Sequence, residues 1–200
     1  MKKIGFNEEY GLQREVLRGW KTMTRSIVPA GTLAKAKAKS QTHGKREEKY
    51  IRYYSYYQLG DKVAIAQSYE DLANSGCEQL NKMLDEHHDI KREYTGAGWS
   101  NKMCVIAELM PHHIFITKVK VEHLQDISDE DCIKEGIGYR DDIITHNLED
   151  VVAYTYQRNW KEKRFLTPRD AYASLIDAIK GKGTWESNPL VYVYEFELID

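Results

Sequence analysis

Two long segments of this 200-residue sequence alternate apolar and polar residues, and this period of two restricts each segment to a β-strand. One lies within MCVIAELMPHHIFITKVKVEHL, and the other is the closing PLVYVYEFELI. The fold must therefore place one face of each strand against a core. The apolar residues that carry the pattern are Ile114, Ile116, Val119 and Val121 in the first strand and Val191, Val193 and Phe196 in the second.

Helix signals flank these strands. Residues Glu8 to Arg18 predict a short amphipathic helix, with Gly19 at the position of a C-terminal cap. Two further helix candidates are Asn147 to Arg158 and Pro168 to Lys180, the second with proline at its first position and glycine beyond its end. Strands scattered among helices, without regular alternation, predict an α+β fold built on a small β-barrel with flanking helices.

Shorter elements complete the predicted order. The β-branched segment TMTRSIV predicts a strand that Pro29 ends. The segment IRYYSYYQLGDKVAIAQSY predicts two strands around a Gly-Asp turn, the second being Val63 to Gln67. A polar helix is expected over Asn74 to Lys91, and SDEDCIKEG predicts a helical turn with Ser128 as its cap. No internal repeat is visible, so we predict a single domain over residues 1–200.

The segment AGTLAKAKAKSQTHGKREEKY contains almost no large apolar residue. Alternating alanine and lysine favours a helix by propensity, yet no face of such a helix could bury a substantial apolar area. The pattern therefore predicts a mobile insertion near residues 30–50. The exposed lysines of the first are either simply solvated or contact phosphate groups: Lys35, Lys37 and Lys39.

The overall charge limits the classes of partner. A formal net charge of -2, with 30% charged residues, excludes a basic field over the whole surface, so nucleic acid could bind only at a local patch. The opening MKKIGFNEEYG has no apolar run behind its lysines, and no segment reaches the length of a membrane span. We expect a cytoplasmic protein that does not enter membranes.

Metal and disulfide chemistry are not expected. The three cysteines are far apart and form no Cys-x-x-Cys pair, which favours reduced thiols. The sequence contains two adjacent histidine pairs, but neighbouring residues on a helix or strand point away from each other and chelate poorly. The pairs are His87 with His88 and His112 with His113. We predict neither a bound metal nor a cofactor.

The stretch LRGWKTMTRSIVP crowds four polar groups behind a glycine: Lys21, Thr22, Thr24 and Arg25. It is either a solvated basic loop or a site at which a lysine activates a threonine hydroxyl. Lysine can act as that base only if burial or a nearby cation such as Arg25 lowers its pKa from about 10.4. Because side chains alternate along a strand, the site also requires that residues 19–22 remain loop.

Four segments, taken together and in order, resemble the ASCH-domain family, a branch of the PUA-like superfamily, in its phage and prophage subgroup. GWKTMTR resembles the Gly-x-Lys-Thr-x-Thr signature of that family, and LGDKVAIAQS resembles its Gly-Asp followed by a strand. ITKVKVEHLQDISDEDCIKEGI and GKGTWESNPLVYVYEFELI resemble its later strand and helical turn and its closing strand. The four segments cover under half of the chain, and the resemblance implies insertions near residues 30–50 and 70–100, which have no counterpart in the family.

The resemblance implies a PUA-like barrel with helices over a cleft, and RNA or a modified nucleoside as the partner. Small members of the family hydrolyse the acetyl amide of acetylcytidine with a lysine, a threonine and a glutamate. Their positions fall on Lys21, Thr24 and Glu135, which are therefore the candidate catalytic residues. Candidate RNA- or ligand-binding residues are Gly19, Trp20, Thr22, Arg25 and Gln67, together with Lys35, Lys37 and Lys39 of the insertion.

The sequence departs from the family pattern near the presumed cleft. Phage-type relatives often carry Arg-Glu-Thr where this chain has Ala66, Gln67 and Ser68, and Trp20 stands where a charged residue is usual. Three functions stay open at this point. They are RNA or nucleotide binding, amide hydrolysis of an N-acylated pyrimidine nucleoside, and a phage-related protein-interaction module with an unidentified protein partner.

Overall fold

The computed structural model describes residues 1–44, 46–74, 76, 78, 82, 97–140, 153–156 and 164–200. The chain divides into two compact units. The smaller unit comprises Met1–Phe6, Asp61–Phe115 and Leu198–Asp200, and the larger comprises Asn7–Gly60 and Ile116–Glu197. Over the described ranges, no helix combines the length and apolar character needed to cross a membrane.

The described part of the chain is a mixture of strands and helices. The strands are β1 (Lys2–Ile4), β2 (Met23–Ile27), β3 (Lys62–Ile65), β4 (His113–His123), β5 (Gly138–Arg140), β6 (Ala153–Thr155) and β7 (Leu190–Leu198). The helices are α1 (Leu12–Leu17), α2 (Ala30–His43), α3 (Glu47–Tyr53), α4 (Tyr69–Asn74), α5 (Asp129–Lys134), α6 (Pro168–Lys180) and α7 (Thr184–Ser187).

Five strands form one mixed sheet in the order β1-β3-β4-β7-β2. β1 is parallel to β3, while β4 is antiparallel to β3 and β2 is antiparallel to β7. β5 and β6 pair separately as an antiparallel ribbon. The predicted α+β class is confirmed, and within the described ranges the strands do not close into a barrel.

Several elements lie where the sequence predicts them. β2, β4 and β7 occupy the three predicted strand segments, and α6 begins at Pro168 with its N-cap at Thr167, whose side chain accepts a hydrogen bond from the Asp170 amide. Ser128 caps α5 in the same way, accepting from the amide of Asp131. These are the local signals that a sequence carries most directly, since a cap needs only one side chain at one position.

The segment near residues 30–50 contains α2 and α3, and Ala36 of α2 is buried where the two helices pack together. That this segment is an insertion stays a prediction. Two predictions of secondary structure were wrong. The first strand expected within IRYYSYYQLG is instead α3 followed by turns. Within the helix expected over 147–158, residues Ala153–Thr155 form β6, which pairs with β5, and residues 147–152 and 157–158 lie outside the described residues. Most of the helix expected over 74–91 lies outside the described residues.

The smaller unit has its own apolar cluster beside β3. It contains Ala64, Tyr69, Leu72, Val105, Ala107 and Met110, all of them buried. In the larger unit, α6 packs against α5, α7 and β6, and α5 in turn packs against β2. Since α5 carries Glu135 at its C-terminal end and β2 follows Lys21, this packing brings the two candidate catalytic segments together.

Candidate functional site

The C-terminal end of α1 sets the position of Trp20 and Lys21. Gly19 has φ +72°, in the left-handed region, as the sequence predicts for a C-terminal cap. The Gly19 amide donates to Val16 O at 2.9 Å and the Trp20 amide donates to Glu15 O at 2.9 Å, which is the Schellman pairing. Residues 20–22 are loop, so the condition that the sequence sets for the site is met.

The C-terminal end of α5 repeats this arrangement. Gly136 has φ +100°, its amide donates to Ile133 O at 2.9 Å, and the Ile137 amide donates to Cys132 O at 3.2 Å. A Cβ atom at Gly136 would lie 3.5 Å from Lys21 Cδ, so the turn lies directly against the Lys21 side chain. The two helix ends also share a backbone hydrogen bond, from the Thr22 amide to Lys134 O at 3.0 Å.

Lys21 and Glu135 form a buried ion pair between these two turns. Lys21 Nζ lies 2.7 Å from Glu135 Oε2, and the two residues are 2% and 4% exposed. The same ammonium group donates to Glu135 O at 2.6 Å and to Met23 O at 2.7 Å. Its hydrogens are thus directed to a carboxylate and two carbonyls, all inside the protein.

Arg25 joins this pair to two more carboxylates. Its Nη1 donates to Glu135 Oε1 at 3.1 Å, and its Nη2 donates to Glu122 Oε1 at 2.7 Å and to Asp131 Oδ2 at 3.0 Å. The guanidinium fork suits this role because its donors diverge in one plane. We call Lys21, Arg25, Glu122, Asp131 and Glu135 the buried charge cluster.

Burial and pairing act in opposite directions on these groups. Burial lowers the pKa of Lys21 below its ordinary value, and this effect outweighs the opposing attraction of Glu135. Burial also opposes the charge of Arg25, but Glu135 and Glu122 hold its pKa above the usual range. Burial tends to raise the pKa of Asp131, yet the hydrogen bond from Arg25 and the charge of Lys120 leave it lowered.

Tyr172 of α6 lies beside the buried charge cluster and was not anticipated from the sequence. It is fully buried, and burial together with the charge of Glu135 raises the pKa of its phenol well above the usual value. Its hydroxyl makes no hydrogen bond of ordinary geometry with a described residue, although Arg25 is close enough to act on it electrostatically. From the sequence, its place on the apolar face of a helix predicts only core packing and gives no sign that it lies beside charged groups.

Thr24 is placed differently from the other two candidate catalytic residues. It lies in β2 opposite Tyr194, and neighbouring strand residues point to opposite faces, so its side chain is on the other face from Met23 and Arg25. Within the described ranges, no hydrogen bond links the Thr24 hydroxyl to Lys21 or Glu135. The structure therefore brings together Lys21, Glu135 and Arg25 and leaves Thr24 outside the buried charge cluster.

A pocket of about 490 Å³ opens in the larger unit beside this cluster. Two exposed aromatic side chains stand on its lining, Trp20 at 66% and Tyr139 at 58% exposure. The Arg18 guanidinium lies 5.4 Å from the centre of the Trp20 ring, a cation–π distance. The remaining lining residues are Glu15, Ile133, Gly136, Ile137, Gly138 and Thr155.

The other predicted ligand-binding residues are scattered. Gly19 shapes the turn, Thr22 supplies backbone hydrogen bonds, and Arg25 is buried within the charge cluster. Gln67 belongs to the smaller unit and is buried there. Its backbone N–H donates to Met110 Sδ. The three lysines of α2 are exposed: Lys35, Lys37 and Lys39. Across the described ranges, no group of His, Cys, Asp or Glu could hold a metal ion.

The sequence reasoning missed most of the pocket. Glu15, Tyr139 and Thr155 are far apart in the sequence and belong to no motif, although Glu15 carries one visible signal. It is an acid next to Val16 on a short helix, and in the structure it is buried together with the apolar face. No family model, curated protein or solved structure matches this chain.

Proposed function

We propose that this chain binds RNA or a free nucleotide by stacking a base against Trp20 and Tyr139 at the pocket of the larger unit. The observation that carries the proposal is the exposure of both aromatic side chains on the lining of one concave site. Large exposed aromatic groups are costly in water, and base stacking on such a group is worth about 1–3 kcal/mol per base. A volume near 490 Å³ is within the range of ligand sites.

Basic side chains of the larger unit are consistent with a nucleotide rather than a purely apolar ligand. Arg18 stands over Trp20, and α2 presents Lys35 and Lys39 one helical turn apart on the same side. Exposed lysines on a chain of net charge -2 give a local basic patch without a global field. Phosphate contacts by such groups make affinity depend on salt.

The same proposal includes the finer fold assignment, an ASCH-type member of the PUA-like superfamily with its barrel. The support is the contact between two resembling segments: Lys21 of GWKTMTR and Glu135 of CIKEGI form a buried pair. A crystal structure of the protein would test the barrel assignment. If the two edge strands of the five-stranded sheet were unpaired in that structure, the barrel would be excluded.

Binding is tested by titrating the protein with a single-stranded RNA pool and with tRNA at about 50 mM and 200 mM salt. We expect affinity to fall by about 0.7 log units per phosphate contact for each tenfold rise in salt. Trp20→Ala should weaken binding by about 10-fold or more, in line with the loss of one stacked base. Tyr56→Ala removes an exposed aromatic side chain that does not line the pocket and is the matched control.

Two results would count against this function. Either the protein binds neither nucleic acid at both salt concentrations, or Trp20→Ala binds as tightly as the Tyr56→Ala control. In the second case the base does not stack on the pocket, whatever else the surface binds.

A second candidate, amide hydrolysis of an N-acylated pyrimidine nucleoside, has one specific observation in its favour. Lys21 has a lowered pKa and touches Glu135, as a general base with an orienting carboxylate would. Because Lys21 is 2% exposed, its ammonium must become accessible before it can act on a substrate. Incubation with acetylcytidine, followed by chromatography for cytidine, tests this candidate. Turnover that survives Lys21→Met would exclude Lys21 as the base.

A further inference from the structure

The part of the chain that forms α2 and α3 concentrates positive charge on a protein that is negative overall. Residues 30–57 contain seven lysine and arginine residues but only two acidic residues, whereas the whole chain has a formal net charge of -2. Three lysines of α2 are exposed, and none of them forms an ion pair with a described residue: Lys35, Lys37 and Lys39. A basic region whose charges are not neutralised internally suits a polyanionic partner.

The C-terminal end of α3 is held against β7 by two hydrogen bonds. The Tyr192 hydroxyl donates to Ile51 O at 2.9 Å. Ser55 Oγ shares a hydrogen bond of 2.7 Å with the Tyr194 hydroxyl. Ile51 and Ser55 are both buried, while Tyr53, which lies between them in the chain, is 67% exposed. A backbone anchored on both sides therefore keeps the Tyr53 side chain at the surface, where it needs little ordering before it binds a ligand.

A lysine of α2 lies against this exposed ring. Lys39 Nζ is 5.5 Å from the centre of the Tyr53 ring and 5.6 Å from that of Tyr54, both cation–π distances. Lys35 precedes Lys39 by four residues, so the two lie on the same side of α2, about 6 Å apart along the helix axis. Lys37 lies on another side, since two residues turn an α-helix by about 200°. We call Lys35, Lys39 and Tyr53 the lysine–tyrosine surface.

Single-stranded nucleic acid has the chemistry that this surface would recognise. Its phosphates accept hydrogen bonds from lysine, and its unpaired bases expose flat faces that stack on aromatic side chains. A duplex stacks its bases on one another and leaves no face for Tyr53. A peptide rich in Asp and Glu supplies negative charge but no regular series of flat rings. Only the single strand uses both the cations and the aromatic ring.

We infer that the lysine–tyrosine surface binds single-stranded nucleic acid, with a base stacked on Tyr53 and neighbouring phosphates on Lys35 and Lys39. This inference deepens the proposed function, because it names a strand rather than a free nucleotide as the ligand. It rests on that function only for the class of partner, since no residue of α2 or α3 lines the pocket.

The experiment measures binding of the full chain to three ligands: an oligouridylate of about 12 nucleotides, a deoxyuridine strand of the same length and uridine 5′-monophosphate. Fluorescence anisotropy follows the labelled strands, and calorimetry follows the mononucleotide. We expect a strand to bind at least about 10-fold more tightly than the mononucleotide, because it adds phosphate and stacking contacts. The deoxyuridine strand distinguishes RNA from DNA, since the surface contacts only groups that both contain.

Two substitutions of Tyr53 test the stacking contact. Tyr53→Ala should weaken binding of the strand by about 10-fold, in line with the loss of one stacked base. Tyr53→Phe keeps the ring and should bind as the wild type does. Tyr56→Ala removes a ring that is 63% exposed and packs against Tyr57, and it is the control for the loss of any exposed tyrosine.

Lys39→Gln tests the phosphate contact through the dependence of affinity on salt. Loss of one contact should reduce the slope of log affinity against log salt by about 0.7 for a single strand. Lys37→Gln removes the same charge from another side of the same helix and should leave the slope unchanged. A lysine that only stabilises the packing of α2 on α3 would not change this slope.

The outcomes separate this inference from the proposed function. Strand binding that is weakened by Trp20→Ala but not by Tyr53→Ala or Lys39→Gln would overturn the inference and leave the proposed function standing. The opposite pattern would support the inference and count against base stacking at the pocket. If neither strand binds the wild type while the mononucleotide does, the inference fails and the proposed function stands.

Two further results decide how the lysines act. Equal effects of Lys37→Gln and Lys39→Gln, with no effect of Tyr53→Ala, would mean that α2 attracts any polyanion, and this would overturn the inference. Binding of both strands, or of only one, supports the inference and identifies the source of the strand, provided that Tyr53→Ala and Lys39→Gln weaken it. The lysine substitutions change exposed side chains, so the salt dependence decides the question even if Tyr53→Ala does not fold.

Discussion

Glu135 and Glu15 are both buried carboxylates of the larger unit, and each belongs to a helix whose end frames the pocket. They differ in what their oxygens meet. Glu135 Oε2 and Oε1 are bonded to Lys21 and Arg25, whereas Glu15 Oε1 has no hydrogen-bond donor among the described residues. A carboxylate bonded to buried cations should therefore contribute more to stability than one whose buried oxygen has no donor.

The comparison extends to two adjacent residues of GWKTMTR. Lys21 is directed inward to Glu135, while Trp20 beside it is exposed and lines the pocket. One turn, at Gly19, sends these neighbours in different directions. Lys21 is therefore enclosed by the protein, whereas Trp20 stands on the lining of the pocket.

The largest expected effect comes from removing Glu135. Glu135→Ala leaves the Lys21 ammonium buried without its carboxylate and should lower the free energy of unfolding by about 3–5 kcal/mol. Urea denaturation of the full chain measures this loss. Glu48→Ala removes a carboxylate from an exposed pair with Arg52 and should cost under about 1 kcal/mol. Equal losses in the two variants would show that the buried pair contributes no more to the free energy of unfolding than the exposed pair does.

Gly136→Ala should have the next largest effect, because it disturbs the turn that follows Glu135 and packs against Leu12 of α1. Its φ of +100° disfavours any side chain, and the added Cβ would lie 3.3 Å from Leu12 Cδ2. We expect a loss of about 2–3 kcal/mol in urea denaturation. Gly44→Ala has the same sign of φ but open space around it, so it should lose only about 1 kcal/mol. Equal losses would mean that the close packing at Gly136 contributes nothing.

The sequence predicted the parts of this site that depend on neighbours in the chain. The cap at Gly19, the strand after it and the capped turn at Ser128 all follow from short-range rules, and each was found. The resemblance paired Lys21 with Glu135, which lie in contact. These features are visible because a cap or a strand is specified within a few residues.

What could not be predicted depends on packing between distant segments. Tyr139 and Thr155 reach the pocket because β5 and β6 pair, and β6 lies where helical periodicity had been expected. The α2 helix was missed because its single buried contact is an alanine, which gives almost no periodic signal. Tertiary contacts decided these elements against local propensity.

Asp131 allows a smaller test at the edge of the buried charge cluster. Its pKa in the folded protein lies below the ordinary 3.8, so the folded state binds its proton less readily than the unfolded state does. The resulting stability is fully present above about pH 5 and is lost as the pH falls through the folded pKa. Asp131→Asn should therefore cost about 1 kcal/mol near pH 7, and the difference from wild type should shrink in acid.

Urea denaturation at several values between about pH 7 and pH 3 checks the behaviour of Asp131. Asp129→Asn, on the first turn of the same helix but exposed, is the control for a general loss of negative charge. A difference between Asp131→Asn and wild type that stays constant down to acid pH would contradict the ionic role of this carboxylate.

The smallest expected effect on stability comes from Glu15, and it is the sharpest test of the comparison with Glu135. Glu15→Gln removes no hydrogen bond at Oε1, and its ion-pair neighbours Arg14 and Arg18 are about half exposed, so their attraction is worth little. Losing a buried charge also removes a desolvation cost. The free energy of unfolding in urea should therefore change by less than about 0.5 kcal/mol, whereas Glu135→Gln, which breaks bonds to Lys21 and Arg25, should lose several times more. A loss above about 2 kcal/mol in Glu15→Gln would contradict this difference, because Glu15 would then stabilise the fold as Glu135 does.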